Sequence, residues 1–192
     1  ADATVQVGED FAIALKADGT VWAWGSNANG QLGIGKTEKE IPFVTDPQPV
    51  KGLNGSSERL NMIEEISVGF HHVLARAADG SVYAWGLNDE GQLGTGDRNN
   101  SNVPIRVMAG DSSMVVGESL FGATSIAAGG NFSLALLGLS DGMIYSWGDN
   151  SYGQLGSAAI TVTVDDNDRL LPSMVMQYVD AGLKESVSVA AG

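Results

Sequence analysis

A phosphate-binding pattern stands near the start of the chain. Residues 30–37 read Gly-Gln-Leu-Gly-Ile-Gly-Lys-Thr, which matches G-x-x-x-x-G-K-[ST] at every fixed position. That pattern grips nucleotide phosphates only where a buried parallel strand precedes it and a helix follows, because backbone N–H groups must face the anion. The next segment, residues 38–49, contains three prolines and does not suit a long helix. We therefore predict that Lys36 and Thr37 hold no nucleotide.

Two adjacent histidines offer acid–base or metal-ligand chemistry. On a strand, His71 and His72 would point to opposite faces, and no third ligand stands nearby, which makes a poor zinc site. The repeat described below aligns His72 with Phe11 and Phe132. We expect His72 to be a packed, hydrogen-bonded core residue and His71 to be an exposed polar residue.

The densest acidic cluster is Asp165-Asp166-Asn167-Asp168. Oxygen-rich loops bind calcium, but the alternating spacing, central Gly and distal Glu of a calcium loop are missing here. A solvated loop is the favoured interpretation, with calcium binding as the alternative. We expect no cofactor, no metal and no catalytic residue in the chain.

The glycines of the phosphate-binding pattern belong to a repeated sequence. The fold of that repeat determines where each residue named so far lies. Three near-copies of one phrase occupy residues 21–33, 82–94 and 144–156, and the Trp of their shared Trp-Gly pair falls at positions 24, 85 and 147. An Asp-Gly pair precedes each copy, and an apolar stretch ending in Gly lies further upstream. A fixed period of 61 or 62 residues indicates stacked supersecondary units. We predict repeats at residues 1–60, 61–121 and 122–185, with the start of a fourth at 186–192.

Within one repeat the apolar pattern has a period of two, which indicates strands. Residues 12–16 and 20–24 alternate across Asp18-Gly19 and predict a β-hairpin. A preceding strand and a Pro-containing stretch complete a sheet of four antiparallel strands. Because one such sheet cannot bury both faces, we predict an all-β fold of face-to-face sheets, the blades of a β-propeller.

The repeated phrase itself has a structural interpretation. We predict that each Gly-Gln-Leu-Gly forms a tight turn, with Leu pointing inward and Gln satisfying backbone groups. The residues assigned this structural role are Trp24, Gly25, Gly30, Gln31, Leu32, Gly33, Trp85, Gly86, Gly91, Gln92, Leu93, Gly94, Trp147, Gly148, Gly153, Gln154, Leu155 and Gly156.

These phrases resemble the repeats of the regulator of chromosome condensation family over three whole units. The resemblance implies a propeller, and because family members typically close seven units into a ring, these three repeats would form a partial ring. It implies no single activity, because members include a nucleotide exchange factor, a plant ultraviolet-B photoreceptor, a β-lactamase inhibitor and ubiquitin-ligase domains. A Gly-Trp-Arg-His-Thr phrase, expected of the photoreceptor, is not found at residues 8–12, 69–73 or 129–133.

The chain's extent leaves two blade faces open. It ends on a Gly that begins another unit, so we expect a fragment of a longer protein, or copies that self-associate through the open edges to complete a ring.

Net charge and hydropathy limit the kinds of partner that the chain could bind. The net charge is −13, which disfavours nucleic acid, and no run of 18 apolar residues predicts a membrane span. We expect a protein partner, and an extracellular or cell-surface location is favoured over a cytoplasmic one.

Function is expected in the long connections, residues 34–59, 95–120 and 157–183, because irregular segments on a rigid scaffold usually carry specificity. Aromatic and Arg side chains dominate interface hot spots. The candidate partner-binding residues in or beside these segments are Phe43, Arg59, Arg98, Arg106, Phe121 and Tyr178. The predicted function is a non-catalytic protein-interaction scaffold, and the alternative is a guanine-nucleotide exchange factor for a small GTPase.

Overall fold

The described part of the chain is built of β-strands. The computed structural model describes residues 3–110, 119–138, 143–156, 169–175 and 190–191. A short 3₁₀ turn spans Leu53–Gly55. The strands are Ala3–Val7 (β1), Phe11–Lys16 (β2), Val21–Ser26 (β3), Phe43–Pro49 (β4), Ile63–Val68 (β5), His72–Ala77 (β6), Val82–Gly86 (β7), Ser101–Arg106 (β8), Ala123–Ala128 (β9), Phe132–Leu137 (β10), Met143–Gly148 (β11) and Arg169–Met174 (β12). None of these described segments forms an apolar helix of membrane-spanning length.

The strands form three four-stranded antiparallel sheets, each in the order of the sequence. We call them blade 1 (β1 to β4), blade 2 (β5 to β8) and blade 3 (β9 to β12). The prediction of an all-β propeller with four-stranded blades is confirmed. A complete ring of seven blades stays a prediction.

A tight turn at an Asp-Gly pair closes the central hairpin of blade 1. Gly19 has φ +77°, a conformation that a glycine adopts without steric cost. The Asp18 carboxylate accepts hydrogen bonds from the hydroxyl and the backbone N–H of Thr20, at 2.5 and 3.1 Å. These bonds lower the pKa of Asp18 to about 2. The turn fixes the register in which Phe11 lies opposite Gly25.

The fourth strand of each blade begins before the Pro-containing stretch from which the sequence predicted it. β4 begins at Phe43 and β8 at Ser101, both inside segments that the sequence indicated as irregular. Each fourth strand pairs with the third through a register shift, for example between Ala23 and Gly25 in blade 1. β4 is mostly exposed and carries prolines, as edge strands tolerate. The alternation of apolar residues that reveals a half-buried strand is therefore weak there.

Consecutive blades pack face to face through apolar side chains. One cluster joins Ile13 and Leu32 of blade 1 to Val73 and Trp85 of blade 2, and all four are fully buried. A second cluster joins blades 2 and 3 in the same way, around Trp147. Burial of apolar surface between sheets is thus the main force that stacks the blades.

The innermost strands also touch through polar bonds. The Gln6 side chain donates to the Ile66 carbonyl at 2.8 Å and accepts from the Val68 N–H at 3.1 Å. Between the next two blades, the Ala128 N–H donates to the Ser67 hydroxyl at 2.8 Å. The inner strands β1, β5 and β9 are thereby held side by side.

Each blade has two ends. We call one the loop end, because it carries the turns between first and second strands (residues 8–10, 69–71 and 129–131) and the long loops after third strands (27–42, 87–100 and 149–156). The other is the turn end, with the hairpin turns near Gly19 and Gly80 and the connections between blades.

Candidate functional site

The three Gly-Gln-Leu-Gly segments form similar turns at the start of the long loops. Leu32, Leu93 and Leu155 are each fully buried. Each Gln side-chain oxygen accepts a bond from the N–H two residues before it, at 2.8 to 2.9 Å; the pairs are Gln31 with Asn29, Gln92 with Glu90, and Gln154 with Tyr152. The turn glycines have φ between +63° and +79°; they are Gly30, Gly33, Gly91, Gly94, Gly153 and Gly156.

The repeated Trp residues link one blade to the next. Trp85 and Trp147 are fully buried, and their indole Nε1 atoms donate to the backbone carbonyls of Gln31 and Gln92, at 3.0 and 2.9 Å. Trp24, in blade 1, is half-buried. The glycines that follow these residues have φ near +100° and lie against the preceding hairpin strand; they are Gly25, Gly86 and Gly148.

An Asn stands two residues after each Trp-Gly pair, and in blades 1 and 2 it is fully buried and holds the long loop that follows. The Asn88 amide donates to the Asp97 carbonyl at 2.9 Å, and its oxygen accepts from the Leu93 N–H at 2.9 Å. In blade 1 the Asn27 amide donates to the carbonyls of Lys36 and Ile41, at 2.9 and 3.2 Å. We did not assign this role from the sequence, although the Asn recurs in all three phrases, at 27, 88 and 150.

The donors of the phosphate-like pattern are occupied by a carboxylate of the same loop. Glu40 accepts from the Lys36 ammonium at 2.9 Å, and from the Thr37 N–H and hydroxyl at 3.0 and 3.2 Å. These bonds, first among them that from the Thr37 N–H, lower the pKa of Glu40. No helix begins at Lys36, where the chain continues through a turn into β4. The segment lacks the strand–loop–helix frame that a phosphate loop requires.

The two histidines occupy different environments. His72 is fully buried, and its Nε2 lies 3.0 Å from the Ser133 hydroxyl, which donates to the Gln92 carbonyl at 2.9 Å. Ser133 must therefore accept from His72, which places the imidazole proton on Nε2. Burial, and secondarily the neighbouring His71, lower the pKa of His72 to about 3. Since neither His72 nor Ser133 reaches solvent, this pair serves packing between blades 2 and 3 and is no nucleophilic site.

His71 is less exposed than predicted. Its side chain is 26% exposed, and its Nε2 lies 3.0 Å from the Glu9 carboxylate of blade 1. Asp10 approaches its other ring nitrogen at 3.8 Å. The physical reason is that packing of adjacent blades brings the turns at residues 8–10 and 69–71 together. His71 thus joins two blades at the loop end.

The structure separates the candidate partner-binding residues into two groups. Phe43 and Arg98 lie at the loop end, where Phe43 is 64% exposed and Arg98 contacts Asp89 and Glu90. The turn-end group consists of Arg59, Arg106 and Phe121. They therefore do not form one site, and Tyr178 lies outside the described residues.

The two turn-end arginines lie over aromatic rings, Arg59 over a ring of the preceding blade 1 and Arg106 over a ring of its own blade 2. Arg59 lies 5.3 Å from the centre of the Trp22 ring, and Arg106 lies 5.5 Å from the centre of the Tyr83 ring. Arg106 also donates to the Ser81 hydroxyl at 3.3 Å. Such stacking stabilises the blade edge and leaves less of each guanidinium for a partner.

Three exposed apolar or aromatic residues at the loop end were not singled out from the sequence. They are Val7, Phe70 and Tyr152. For two of them the signal was a departure from the repeat: Phe70 stands where the other units have Glu9 and Gly130, and Tyr152 where they have Asn29 and Glu90. No group of three metal-ligating side chains occurs in the part of the chain that the structure describes. The acidic cluster at 165–168 lies outside it.

Comparison with known proteins shows which family has this architecture. A family model described as the regulator of chromosome condensation (RCC1) repeat matches residues 18–76, 79–136 and 141–192. The chain belongs to the RCC1 repeat family. A second model of the same description matches RCC1 repeats at residues 3–31, 63–92 and 123–154.

Relatives with RCC1 repeats are longer than this chain. A probable E3 ubiquitin-protein ligase, human HERC3, is 31% identical over 98% of this chain and 15% of its own length. The Arabidopsis thaliana ultraviolet-B receptor UVR8 is 32% identical over 88% of this chain and 32% of its own length. The chain thus spans less than a third of either relative.

Solved structures share the fold. Human WBSCR16 has a TM-score of 0.68 and 24% identity, covering 91% of this chain and 39% of its own. Prp20p from Saccharomyces cerevisiae has a TM-score of 0.66 and 22% identity, covering 91% of this chain and 38% of its own. Prp20p has binding properties toward Gsp1p and histones. At these identities the likeness shows the fold.

Proposed function

We propose that the chain is a non-catalytic protein-interaction scaffold that binds a partner protein through the long loops at its loop end. The observation that carries this proposal is the pinning of those loops by Asn27 and Asn88. Both side chains are fully buried, so each loop leaves the sheet from a fixed point. A loop ordered before binding loses little conformational entropy on contact with a partner.

The side chains at the loop end suit protein contact. Phe43 is 64% exposed and Tyr152 is 94% exposed, and both stand on or beside these loops. Aromatic side chains with few rotatable bonds are common anchors of protein interfaces. The loop end therefore offers exposed anchors on a rigid base.

Affinity capture tests the proposal. The chain, immobilised in wild-type form and as the double variant Phe43→Ala, Tyr152→Ala, is exposed to an extract of its source cells. We expect at least one protein that the wild type retains and the double variant loses. Phe121→Ala, which removes an exposed aromatic ring at the turn end, is the matched control and should retain it. Identical retention by all three forms would refute binding through the loop end.

Nucleotide exchange on a small GTPase remains the alternative function, and no contact among the described residues favours it. It is separated from the scaffold function by measuring release of fluorescent GDP from a panel of small GTPases. We expect GDP to be released at the same spontaneous rate whether the chain is present or absent. Faster GDP release in the presence of the chain would refute the non-catalytic proposal in favour of nucleotide exchange.

Self-association through the faces of blades 1 and 3 that point away from blade 2 is also a proposal. Its support is that each face is homologous to one that is covered inside the chain, at the interfaces centred on Trp85 and Trp147. Light scattering over a range of concentrations tests it. A mass that stays monomeric throughout would exclude it.

A further inference from the structure

We infer that the loop end carries a docking recess for a cationic peptide segment that presents one aromatic side chain. This inference rests on the proposed interaction function and adds the position and chemistry of the contact. The recess has a volume of about 420 Å³ and lies where the inner strands reach the loop end. Its lining includes Val7, Glu9, Val68, Phe70 and Ala128.

The wall of the recess is apolar and already exposed. Val7 is 71% exposed and Phe70 is 56% exposed, so both side chains offer surface that a partner could remove from water. The Phe70 ring lies against Gly130, where a Cβ would approach the ring to 2.7 Å. Glycine at position 130 therefore lets the ring of blade 2 extend over blade 3. An aromatic side chain of a partner would stack beside Phe70 at a separation that such pairs favour.

The backbone around the recess is held in place by bonds between blades. The Phe70 N–H donates to the Gly130 carbonyl at 3.0 Å, and the Glu9 N–H donates to the Phe70 carbonyl at 3.2 Å. Three successive blades are thus joined at this level. The recess is formed before a ligand arrives, which limits the entropy lost on binding.

The charge of the loop end determines which segment fits. Its turns and loops carry eight carboxylates and three permanent cations: Glu9, Asp10, Glu38, Glu40, Asp89, Glu90, Asp97 and Asp149 against Lys36, Lys39 and Arg98. Two of the cations are already paired, Lys36 with Glu40 and Arg98 with Glu90. The Glu9 side chain is 65% exposed at the recess itself. A field of this sign attracts Lys and Arg and repels nucleic acid and acidic peptides.

The arrangement favours an extended cation over a compact one. In the described segments the carboxylates are spread over separate loops, and no group of three ligands could hold a metal ion. Positive charges placed along a peptide can each approach a different carboxylate. Its aromatic side chain would fill the recess between Val7 and Phe70.

Fluorescence anisotropy with synthetic peptides tests the inference on the whole chain. The probe is a labelled peptide with a central Phe flanked on both sides by Lys and Arg. Matched peptides replace Phe with Ala, or replace the basic residues with Glu and Asp. We expect the basic Phe peptide to bind, the Ala peptide to bind at least about tenfold more weakly, and the acidic peptide not to bind. Binding of the basic Phe peptide should weaken as NaCl is added.

Variants locate the contact. We expect Phe70→Ala to weaken binding at least about tenfold and Glu9→Gln to weaken it by a smaller factor. Phe121→Ala and Glu58→Gln, at exposed positions of the turn end, should bind as the wild type does. Melting curves show whether each variant is folded.

The inference is overturned if the basic Phe peptide does not bind, or if Phe70→Ala and Phe121→Ala bind it equally well. Either result leaves the scaffold proposal standing when loop-dependent capture of a protein from extract persists. Failure of that capture, by contrast, counts against the scaffold proposal whatever the peptides do. The two ideas therefore fail in different experiments.

Discussion

The indole Nε1 of Trp85 in blade 2 lies 3.0 Å from the backbone carbonyl oxygen of Gln31 in blade 1, and both residues are fully buried. Trp147 and Gln92 make the same bond one repeat later, at 2.9 Å. A hydrogen bond between a strand of one blade and a turn of the preceding blade therefore recurs along the chain. The turn is one that the sequence marks with Gly-Gln-Leu-Gly.

Replacement of Trp85 by Phe should destabilise the chain by about 2 kcal/mol, because it removes indole volume and leaves the Gln31 carbonyl buried without this donor. Trp24→Phe is the matched control, since Trp24 is half-buried and the described residues show no indole hydrogen bond for it. Urea unfolding of both variants measures the difference. Equal losses would mean that the bond to Gln31 contributes nothing.

Gly33→Ala should cost clearly more stability than Gly35→Ala. Both glycines have positive φ, at +63° and +72°, so alanine is strained at each by about 1 kcal/mol. A Cβ at Gly33 would also lie 2.8 Å from Trp85 Nε1, whereas at Gly35 the nearest atom is 3.5 Å away. Thermal unfolding of the two variants isolates the effect of close packing. A smaller loss for Gly33→Ala would show that the blades separate easily to admit a methyl group.

Protonation of His72 should destabilise the fold in mild acid. Its pKa is lowered from 6.5 to about 3 by burial, so below pH 6.5 the unfolded chain takes up a proton that the folded chain refuses. The free energy of unfolding should therefore fall by about 1 kcal/mol per pH unit as pH drops from 6.5 toward 3, and this contribution should level off below.

His72→Phe should remove this part of the pH dependence. The equivalent positions of the other repeats hold Phe11 and Phe132, each beside a glycine like Gly69, so the ring has room. Urea unfolding at pH 7 and at pH 5 compares the variant with the wild type. The same slope in both would assign the acid sensitivity to other groups.

ATP with Mg²⁺ should produce no binding heat in a calorimetric titration of the chain. The Lys36 and Thr37 donors already contact Glu40, and no helix follows them. Lys36→Ala should leave the melting temperature nearly unchanged, because exposed ion pairs contribute little. A saturable heat that Lys36→Ala abolishes would contradict our interpretation of this loop.

Much of the fold could be predicted because each element is written three times. The position of Trp85 relative to Asp79-Gly80 repeats in blade 1 with Trp24 and Asp18-Gly19, so hairpin and turn are indicated twice over. The burial of His72 followed from its alignment with Phe11 and Phe132. Periodicity, tested against an independent copy, is a stronger signal than propensity in one segment.

Features that depend on contact between blades could not be predicted. The Glu65 carboxylate accepts from the Arg76 guanidinium at 2.9 Å, and from the Ser125 hydroxyl and the Ile126 N–H at 3.1 and 3.2 Å. No repeat copies this set, since the residue equivalent to Glu65 in blade 1 is Thr4 and in blade 3 is Ser125. The recess beside Phe70 was missed for the same reason. A residue that departs from the repeat leaves no second copy to confirm its role.

The Trp-to-Gln bonds have a fixed order along the chain: the acceptor Gln31 precedes the donor Trp85, and Gln92 precedes Trp147. During synthesis each acceptor turn leaves the ribosome some fifty residues before its donor. We therefore expect assembly to proceed from the N-terminus, with every finished sheet serving as the template on which the following one settles.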